Sequence, residues 1–185
     1  MIKDVFCLVC IYLDIDKYYR IKDTFKLSVK YYCENVKVIT QESISYVSYP
    51  HLKNKIDWAS YNNYLEVVIY LHSIKKDCTT KAMDYASLYG HLEVVKYLHL
   101  IGKDCTIDAM NFASSTDHLK IVKYLRSIGK DCTTDAMNGA SCNGYLDVVK
   151  YLHSIGKDCT HNAMDESSSY GHLGLVKFLH KIGKE

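Results

Sequence analysis

The chain has little proline and no excess of charge of one sign. It contains 1 proline among 185 residues, and its 23 Lys and Arg residues are balanced by 21 Asp and Glu residues. Such a balance leaves no broad electrostatic field of the kind that binds nucleic acid or anionic membranes. Disordered, collagen-like and low-complexity sequences are also excluded, because 48% of the residues are hydrophobic and can be buried.

Long apolar runs are absent as well. None reaches the roughly 18 to 20 residues that a membrane-spanning helix needs, and the longest, from Val5 to Leu13, ends at Asp14. That run resembles the apolar stretch of a signal peptide, but Lys3-Asp4 is a poor basic leader and no small-x-small cleavage site follows. We therefore expect neither a membrane-spanning nor an exported protein.

Four of the eight cysteines mark an internal repeat. Cys78, Cys105, Cys132 and Cys159 follow one another at intervals of 27 residues, which indicates a tandem array rather than disulfide pairs. Residues 51–185 divide without gaps into five units: 51–77, 78–104, 105–131, 132–158 and 159–185. Six positions are the same in all five units: Ser at position 10, Leu at 15, Val at 18, Leu at 21, Ile at 24 and Lys at 26.

The second half of each unit predicts a helix with one buried face. Apolar residues recur every three or four positions, and in the second unit they are Leu92, Val95, Leu98 and Ile101. The next residue is Lys75 in the first unit and glycine in the others, namely Gly102, Gly129, Gly156 and Gly183. Glycine at this place is typical of a helix that ends in a left-handed residue, so we expect the first unit to fray more.

The first half of each unit predicts a shorter helix that packs closely on the second. In the second unit it carries the small residues Ala82 and Ala86, with Thr79 as the predicted N-cap. Position 13, between the helices, holds only residues that tolerate a positive φ: Asn63, Gly90, Asp117, Gly144 and Gly171. Because no single unit can bury both of its apolar faces, the units must stack into an all-α, helical-repeat solenoid.

The segment GHLEVVKYLHLIGKD at 90–104 resembles the second half of an ankyrin repeat, as do the corresponding segments of the other units. The first half is more divergent, since the Thr-Pro-Leu-His stretch of that family falls on Lys81, Ala82, Met83 and Asp84. Ankyrin repeats commonly have about 33 residues, so the resemblance implies that these shorter units have lost most of the projecting β-hairpin. Leucine-rich repeats have a comparable length, but no unit contains their L-x-L-x-x-N core.

Residues 1–50 follow the register less clearly. Val29-Lys30-Tyr31-Tyr32, followed by Lys37, is similar to the second helix of a unit, and Pro50 then interrupts the register. We interpret this region as a degenerate N-terminal repeat that caps the array, as solenoids require. An independent small domain is the alternative.

Neither the cysteines nor the histidines form a pattern typical of metal binding or catalysis. Stacked helices lie about 8–10 Å apart, beyond the roughly 7 Å between Cα atoms that a disulfide allows, so the recurring cysteines are predicted to be buried, reduced thiols. Histidines share their positions with Tyr or Arg, as His99 does with Arg126, which a metal site rarely accepts. No Ser-His-Asp arrangement, phosphate-binding Gly loop or H-E-x-x-H motif occurs. We predict no enzyme activity, no metal and no cofactor.

The variation between units is concentrated in and around the first helix. In ankyrin proteins, the resemblance implies, this helix and the loop before it line the concave partner-binding surface. Aromatic residues anchor many protein interfaces, so the predicted partner-binding residues are the aromatic ones at variable positions 8, 11 and 12: Trp58, Tyr61, Tyr85, Tyr89, Phe112 and Tyr170. The alternative is that Trp58, Tyr85 and Phe112 only pack against neighbouring first helices.

The resemblance implies a non-catalytic scaffold that binds another protein. Within the ankyrin family the chain is most similar to proteins of giant DNA viruses that infect amoebae, which makes a host protein the predicted partner. Reduced thiols favour a reducing compartment such as the cytoplasm. We expect a monomer that binds neither nucleic acid nor membranes. The alternative is a structural solenoid that associates with itself or with a virion component.

Overall fold

The computed structural model describes residues 55–184, so the predicted N-terminal cap, residues 1–50, lies outside the described residues. The described residues form ten α-helices and no strand, which confirms the all-α helical-repeat fold. The first helices of the pairs are α1 (Lys55–Tyr61), α3 (Lys81–Leu88), α5 (Asp108–Ser115), α7 (Thr134–Cys142) and α9 (Asn162–Ser169). The second helices are α2 (Leu65–Ser73), α4 (Leu92–Leu100), α6 (Leu119–Ser127), α8 (Leu146–Ser154) and α10 (Leu173–Lys181).

Each first helix is short and buries small residues. In α3, the side chains of Ala82, Met83 and Ala86 are buried, and the equivalent Ala and Met residues of α5 and α7 are buried as well. The residue that directly precedes α3 is Thr80 rather than the predicted Thr79, but the N–H of Lys81 donates a hydrogen bond of 3.2 Å to the Thr79 hydroxyl, so Thr79 still satisfies an N–H of the first turn. Small side chains at these positions allow neighbouring helices to approach closely.

Each second helix is amphipathic and buries one stripe. In α4, Val94, Val95 and Leu98 are buried, while Leu92 at the start of the helix and Ile101 just after its end are half-buried. The stripe predicted from the spacing is therefore confirmed, and it is fully enclosed in its middle. Burial of apolar side chains is the main favourable term in folding. In a solenoid each unit contacts only its neighbours, so these stripes are buried between adjacent units.

Two positions of the unit adopt the left-handed conformation. At position 13, φ is 63° for Asn63, 81° for Gly90 and 62° for Asp117, which confirms the predicted tight turn between the helices. After the second helix, φ is 75° for Gly102, and Lys75 adopts the same conformation with a φ of 59° in the first unit. Lys75 keeps the turn although its Cβ makes this conformation costly.

The helix pairs stack one on the next through their first helices. Adjacent first helices contact one another extensively, whereas adjacent second helices contact one another little. The stack of described helices therefore curves, with the first helices on its inner, concave side. Because no strand occurs among residues 55–184, the loops between helix pairs carry no β-hairpin, as the shortened repeat length predicted.

A ladder of hydrogen bonds ties each first helix to the loop that enters the next one. The carboxylate of Asp57 accepts hydrogen bonds from the N–H of Thr79 at 2.9 Å and from its hydroxyl at 2.6 Å. The same connection, across 22 residues, recurs in the next three units as Asp84 with Thr106, Asn111 with Thr133 and Asn138 with Thr160. These bonds fix the loops that precede the first helices.

A second ladder explains the invariant lysine at position 26. Lys103 Nζ lies 2.6 Å from Asp77 Oδ1, and Lys184 Nζ lies 2.6 Å from Asp158 Oδ2. Lys130 with Asp104 and Lys157 with Asp131 make the same contact. Each pair joins the ends of consecutive units, and its carboxylate is exposed. The hydrogen bond from Lys103 lowers the pKa of Asp77 from its ordinary value.

Candidate functional site

One side of each first helix stays open on the concave side of the stack. Positions 4, 8 and 11 or 12 of a unit follow one another at helical spacing. In α3 and the residue after it, Lys81 and Tyr89 are exposed and Tyr85 is half-buried. We call the residues at these positions the first-helix face: Tyr61, Lys81, Tyr85, Tyr89, Asp108, Phe112, Thr116, Asp135, Gly139, Asn143, Asn162, Glu166 and Tyr170.

Three tyrosines from two units form a cluster on this face. The ring centroids of Tyr61 and Tyr89 are 4.5 Å apart and those of Tyr61 and Tyr85 are 5.9 Å apart, both pairs in edge-to-face orientation. Tyr89 is 44% exposed, and a hydrogen bond with Tyr61 raises its pKa. The cluster therefore offers rigid apolar rings with polar hydroxyls, a combination found at many binding hot spots.

The other predicted aromatic residues are placed differently. Trp58 is 5% exposed and its ring centroid lies 5.3 Å from that of Tyr64, so this ring belongs to the core and offers no surface to a partner. Phe112 is half-buried, whereas Tyr170 is 66% exposed and stacks on His172 at a centroid distance of 6.3 Å. Sequence periodicity could not separate these cases, since position 8 is half-buried in one unit and buried in another.

The composition of the first-helix face changes along the stack. Aromatic rings occupy position 8 in α3 and α5, where Tyr85 and Phe112 lie, but Glu166 occupies it in α9. Asp108 and Asp135, in the first turns of α5 and α7, are exposed, as is Glu166. The aromatic residues of the face are therefore concentrated from α1 to α5 and its carboxylates lie from α5 to α9, where Tyr170 is a further aromatic residue.

Gly139 marks a close approach between two first helices in the middle of this face. A Cβ at Gly139 would lie 2.8 Å from the Cβ of Ser115 in the preceding first helix, which is too short for a real contact. Gly139 therefore permits the close packing of α5 and α7, and it leaves a gap in the row of side chains at position 8. The sequence shows Gly139 only as one more variant at a variable position.

The cysteines of the described part do not form a reactive site. All five are free thiols; Cys132 and Cys159 are buried, whereas Cys78 and Cys105 are only half-buried, so the predicted burial holds for two of these four. Burial raises the pKa of Cys78 and of Cys105 to about 11. Both thiols are therefore protonated at neutral pH, which makes them poor nucleophiles.

Histidines at position 14 connect neighbouring units. His91 Nε2 donates a hydrogen bond of 3.1 Å to the backbone carbonyl of Tyr61, and His172 Nε2 makes the same bond to Cys142. Burial lowers the pKa of His91, which favours the neutral ring. No cluster of His, Cys, Asp and Glu suited to a metal ion occurs among residues 55–184.

The described helices also give no candidate for a membrane span. Within residues 55–184, none combines the length and the apolar character that crossing a bilayer requires.

Comparison with known proteins relates the middle of the chain to one family of repeats. The family model of ankyrin repeats matches residues 83–165, in three copies. This segment runs from α3 into α9 and contains most of the first-helix face. No curated protein matches the chain.

Proposed function

We propose that the ankyrin repeats of this chain form a non-catalytic scaffold that binds a partner protein across the first-helix face. Ankyrin repeats generally act in protein–protein interaction, through the concave surface of the stack. The observation that carries the proposal is the cluster of Tyr61, Tyr85 and Tyr89, which is partly exposed on that side. The buried stripes and the ladders vary little between units, so the differences between units fall on this face.

The tyrosine cluster and the carboxylates of the face suggest the chemistry of the partner. The tyrosine cluster suits an apolar anchor, which would be enclosed by rings on more than one side. Asp108, Asp135 and Glu166 suit basic side chains, since opposite charges across an interface direct association and fix its register. The partner is therefore expected to present an apolar residue followed along the stack by Lys or Arg residues.

The compartment and the source of the partner are further parts of the proposal. The free thiols at Cys78 and Cys105 support a reducing compartment, for which we propose the cytoplasm. A host protein as partner depends on the resemblance to proteins of giant DNA viruses, and the comparisons add no support for that relationship.

A pair of matched variants tests the proposed face. The first combines Tyr89→Ser with Asp108→Lys and Asp135→Lys on the first-helix face. The control combines Leu100→Ser with Glu93→Lys and Asp147→Lys, all on the second helices. Leu100 is exposed, as Tyr89 is, and Glu93 and Asp147 lie in the first turns of their helices, as Asp108 and Asp135 do. Both variants change the net charge equally, and both should keep the far-UV circular dichroism of the wild type.

We expect the wild type and the control to capture the same protein from a cell lysate, and the first-helix-face variant to lose it. Binding of the purified partner should then weaken only in the first-helix-face variant. Loss of the partner from the control, with retention by the first-helix-face variant, would contradict the proposal.

Self-association of the solenoid is the second candidate. Tyr170 and Leu173 favour it, because these residues are 66% and 63% exposed and lie three positions apart, after the end of α9 and at the start of α10. Such apolar exposure is often covered by another molecule. Light scattering should then show a molar mass that grows with protein concentration and that falls in Leu173→Lys. A constant monomer mass up to high micromolar concentration would exclude this candidate.

A further inference from the structure

The charges of the described helices are divided between two sides of the stack. The five second helices carry seven Lys or Arg residues and three Asp or Glu residues. The five first helices carry two Lys residues and six Asp or Glu residues. The near-neutral net charge of the chain therefore conceals a basic side formed by the second helices. Fields of this kind act locally, because salt screens charges beyond about 10 Å.

One lysine in each of four consecutive second helices forms a row on the basic side. The row consists of equivalent, exposed residues: Lys96, Lys123, Lys150 and Lys177. Lys96 Nζ lies 2.8 Å from Glu93 Oε1, and Lys150 Nζ lies 3.9 Å from Asp147 Oδ1. Helices α6 and α10 contain no acidic residue, so the other two lysines have no carboxylate on their own helix.

Helix α6 is the most basic part of this side. Lys120, Lys123 and Arg126 are all exposed and follow one another at a spacing of three residues, on neighbouring turns of one helix. Lys123 Nζ lies 5.5 Å from the centre of the Tyr151 ring, which orients the ammonium group toward the next unit. Arg126 NH1 lies 3.6 Å from Asp131 Oδ1, at the end of the same unit.

The spacing of the row limits what fits on it. Packed helices lie about 8–10 Å apart, and the second helices, on the outer side of the curve, lie toward the wide end of that range. A segment in the polyproline II conformation has three residues per turn and rises about 3.1 Å per residue, so every third side chain returns to the same side after about 9 Å. We propose that the lysine row, Lys96 to Lys177, binds an extended acidic segment of a partner protein that carries a carboxylate at every third residue.

A nucleic acid fits this side less well. Single strands bind basic grooves that also offer aromatic faces for stacking of the bases. Here the rings beside the row are half-buried, and histidines of the preceding units meet three of them: His72 with Tyr97, His99 with Tyr124 and His153 with Phe178. Three of the four rings beside the row are thus already in contact with histidines, and the fourth, Tyr151, lies under Lys123.

Two synthetic peptides of equal length and composition test the proposal. One has glutamate at every third residue, and the other has the same glutamates in a single block. Fluorescence anisotropy measures the binding of each to the full chain, together with an oligothymidylate of equal charge. We expect the first peptide to bind most tightly, with an affinity that falls as the salt concentration rises, because exposed ion pairs are screened.

Matched variants locate the binding on the protein. Lys123→Glu combined with Lys150→Glu and Lys177→Glu should weaken binding of the first peptide by about tenfold or more, since several exposed pairs are lost at once. The control, Lys55→Glu with Lys75→Glu and Lys76→Glu, carries the same net charge away from the row and should bind as the wild type does. The first-helix-face variant should also bind this peptide, because the two surfaces are separate.

Five results would overturn the proposal. The first four are no binding of either peptide, an equal loss in both triple variants, equal affinity for the block peptide, and tighter binding of the oligothymidylate that disappears in the row variant. Self-association of the wild type that disappears in the row variant would assign the row to a second copy instead, and would equally overturn it. None of these results bears on the first-helix face, so failure here is distinguishable from failure of the proposed function.

Discussion

Thr106 and Asp84 join two consecutive units through a pair of hydrogen bonds. The N–H of Thr106 donates to one carboxylate oxygen at 2.8 Å and its hydroxyl donates to the other at 3.0 Å. In the next unit an amide takes the place of the carboxylate, and Asn111 both accepts from the Thr133 N–H at 3.1 Å and donates to its hydroxyl at 3.0 Å. A threonine hydroxyl can donate or accept, so Asp and Asn serve the same connection.

Asp84→Asn is expected to preserve the connection and to change the pH dependence of stability. Burial raises the pKa of Asp84, so its contribution to the free energy of unfolding is largest below the unfolded pKa and falls as pH rises through the folded pKa. The variant lacks this fall, and at neutral pH it should be at least as stable as the wild type. Urea unfolding of both proteins, below and above the ordinary aspartate pKa of about 3.9, measures the difference.

Thr106→Val supplies the contrast for that experiment. Valine matches the shape of threonine but leaves one carboxylate oxygen of Asp84 without its hydrogen bond, which should cost about 1.5–3 kcal/mol. A loss in Asp84→Asn as large as the loss in Thr106→Val would contradict the equivalence of the two side chains.

Gly139→Ala should destabilise the stack even though alanine favours helices. The new Cβ would lie 2.8 Å from the Cβ of Ser115, and overpacking of this kind costs about 1–3 kcal/mol, more than the roughly 1 kcal/mol gained in helix propensity. Gly174→Ala is the control, since its nearest neighbour would be Leu146 at 3.8 Å, and it should gain about 0.5–1 kcal/mol. Thermal unfolding should therefore show a lower melting temperature for Gly139→Ala and a higher one for Gly174→Ala. Shifts of the same sign in both variants would contradict the close approach at Gly139.

Lys75→Gly should stabilise the first described unit. Lys75 has a φ of 59° where the four later units have glycine at 75° to 81°, and the left-handed conformation costs about 1–2 kcal/mol for a residue with a Cβ. The free energy of unfolding from urea titration should therefore rise by about 1 kcal/mol. Lys76→Gly, beside it, should lower stability instead, because glycine adds conformational entropy to the unfolded chain. A gain of equal size there would contradict the role of the left-handed conformation at Lys75.

Leu98→Ala or Leu125→Ala should cost about 2–5 kcal/mol, because each side chain is 0% exposed in the middle of its second helix. Leu100→Ala, at a position that is 81% exposed on the same helix as Leu98, should change stability by less than about 0.5 kcal/mol. Denaturant unfolding monitored by circular dichroism compares the three. A loss below about 1 kcal/mol at both buried positions would place the stripe on the wrong face.

Much of the fold could be predicted because the signals that specify it are local. The stripe around Leu98, the hydrogen bond that Thr79 accepts and the left-handed residue at Gly90 each depend on residues a few positions apart, and five copies repeat the same register. The same register predicted which positions vary, and therefore which side of the stack differs between units.

The candidate site could be predicted only in part. Tyr61, Tyr85 and Tyr89 are among the aromatic residues chosen from the sequence, but their meeting in one cluster was not predicted, and Trp58, at the same position of its unit as Tyr85, is buried. Burial depends on the neighbours that surround a particular ring, and these differ at each level of the stack. The requirement for Gly139 has the same origin, since it arises from a residue of another helix.

The sequence by itself therefore determined the repeat, its helix pairs and its turns, because these follow from spacings within one unit. Tertiary structure alone decided what lies between units: the partner of Asp84, the ion pair of Lys103, the gap at Gly139 and the lysine row that ends at Lys177. These relationships join residues that are 22 or more positions apart in the chain, and only stacking brings such residues within bonding distance.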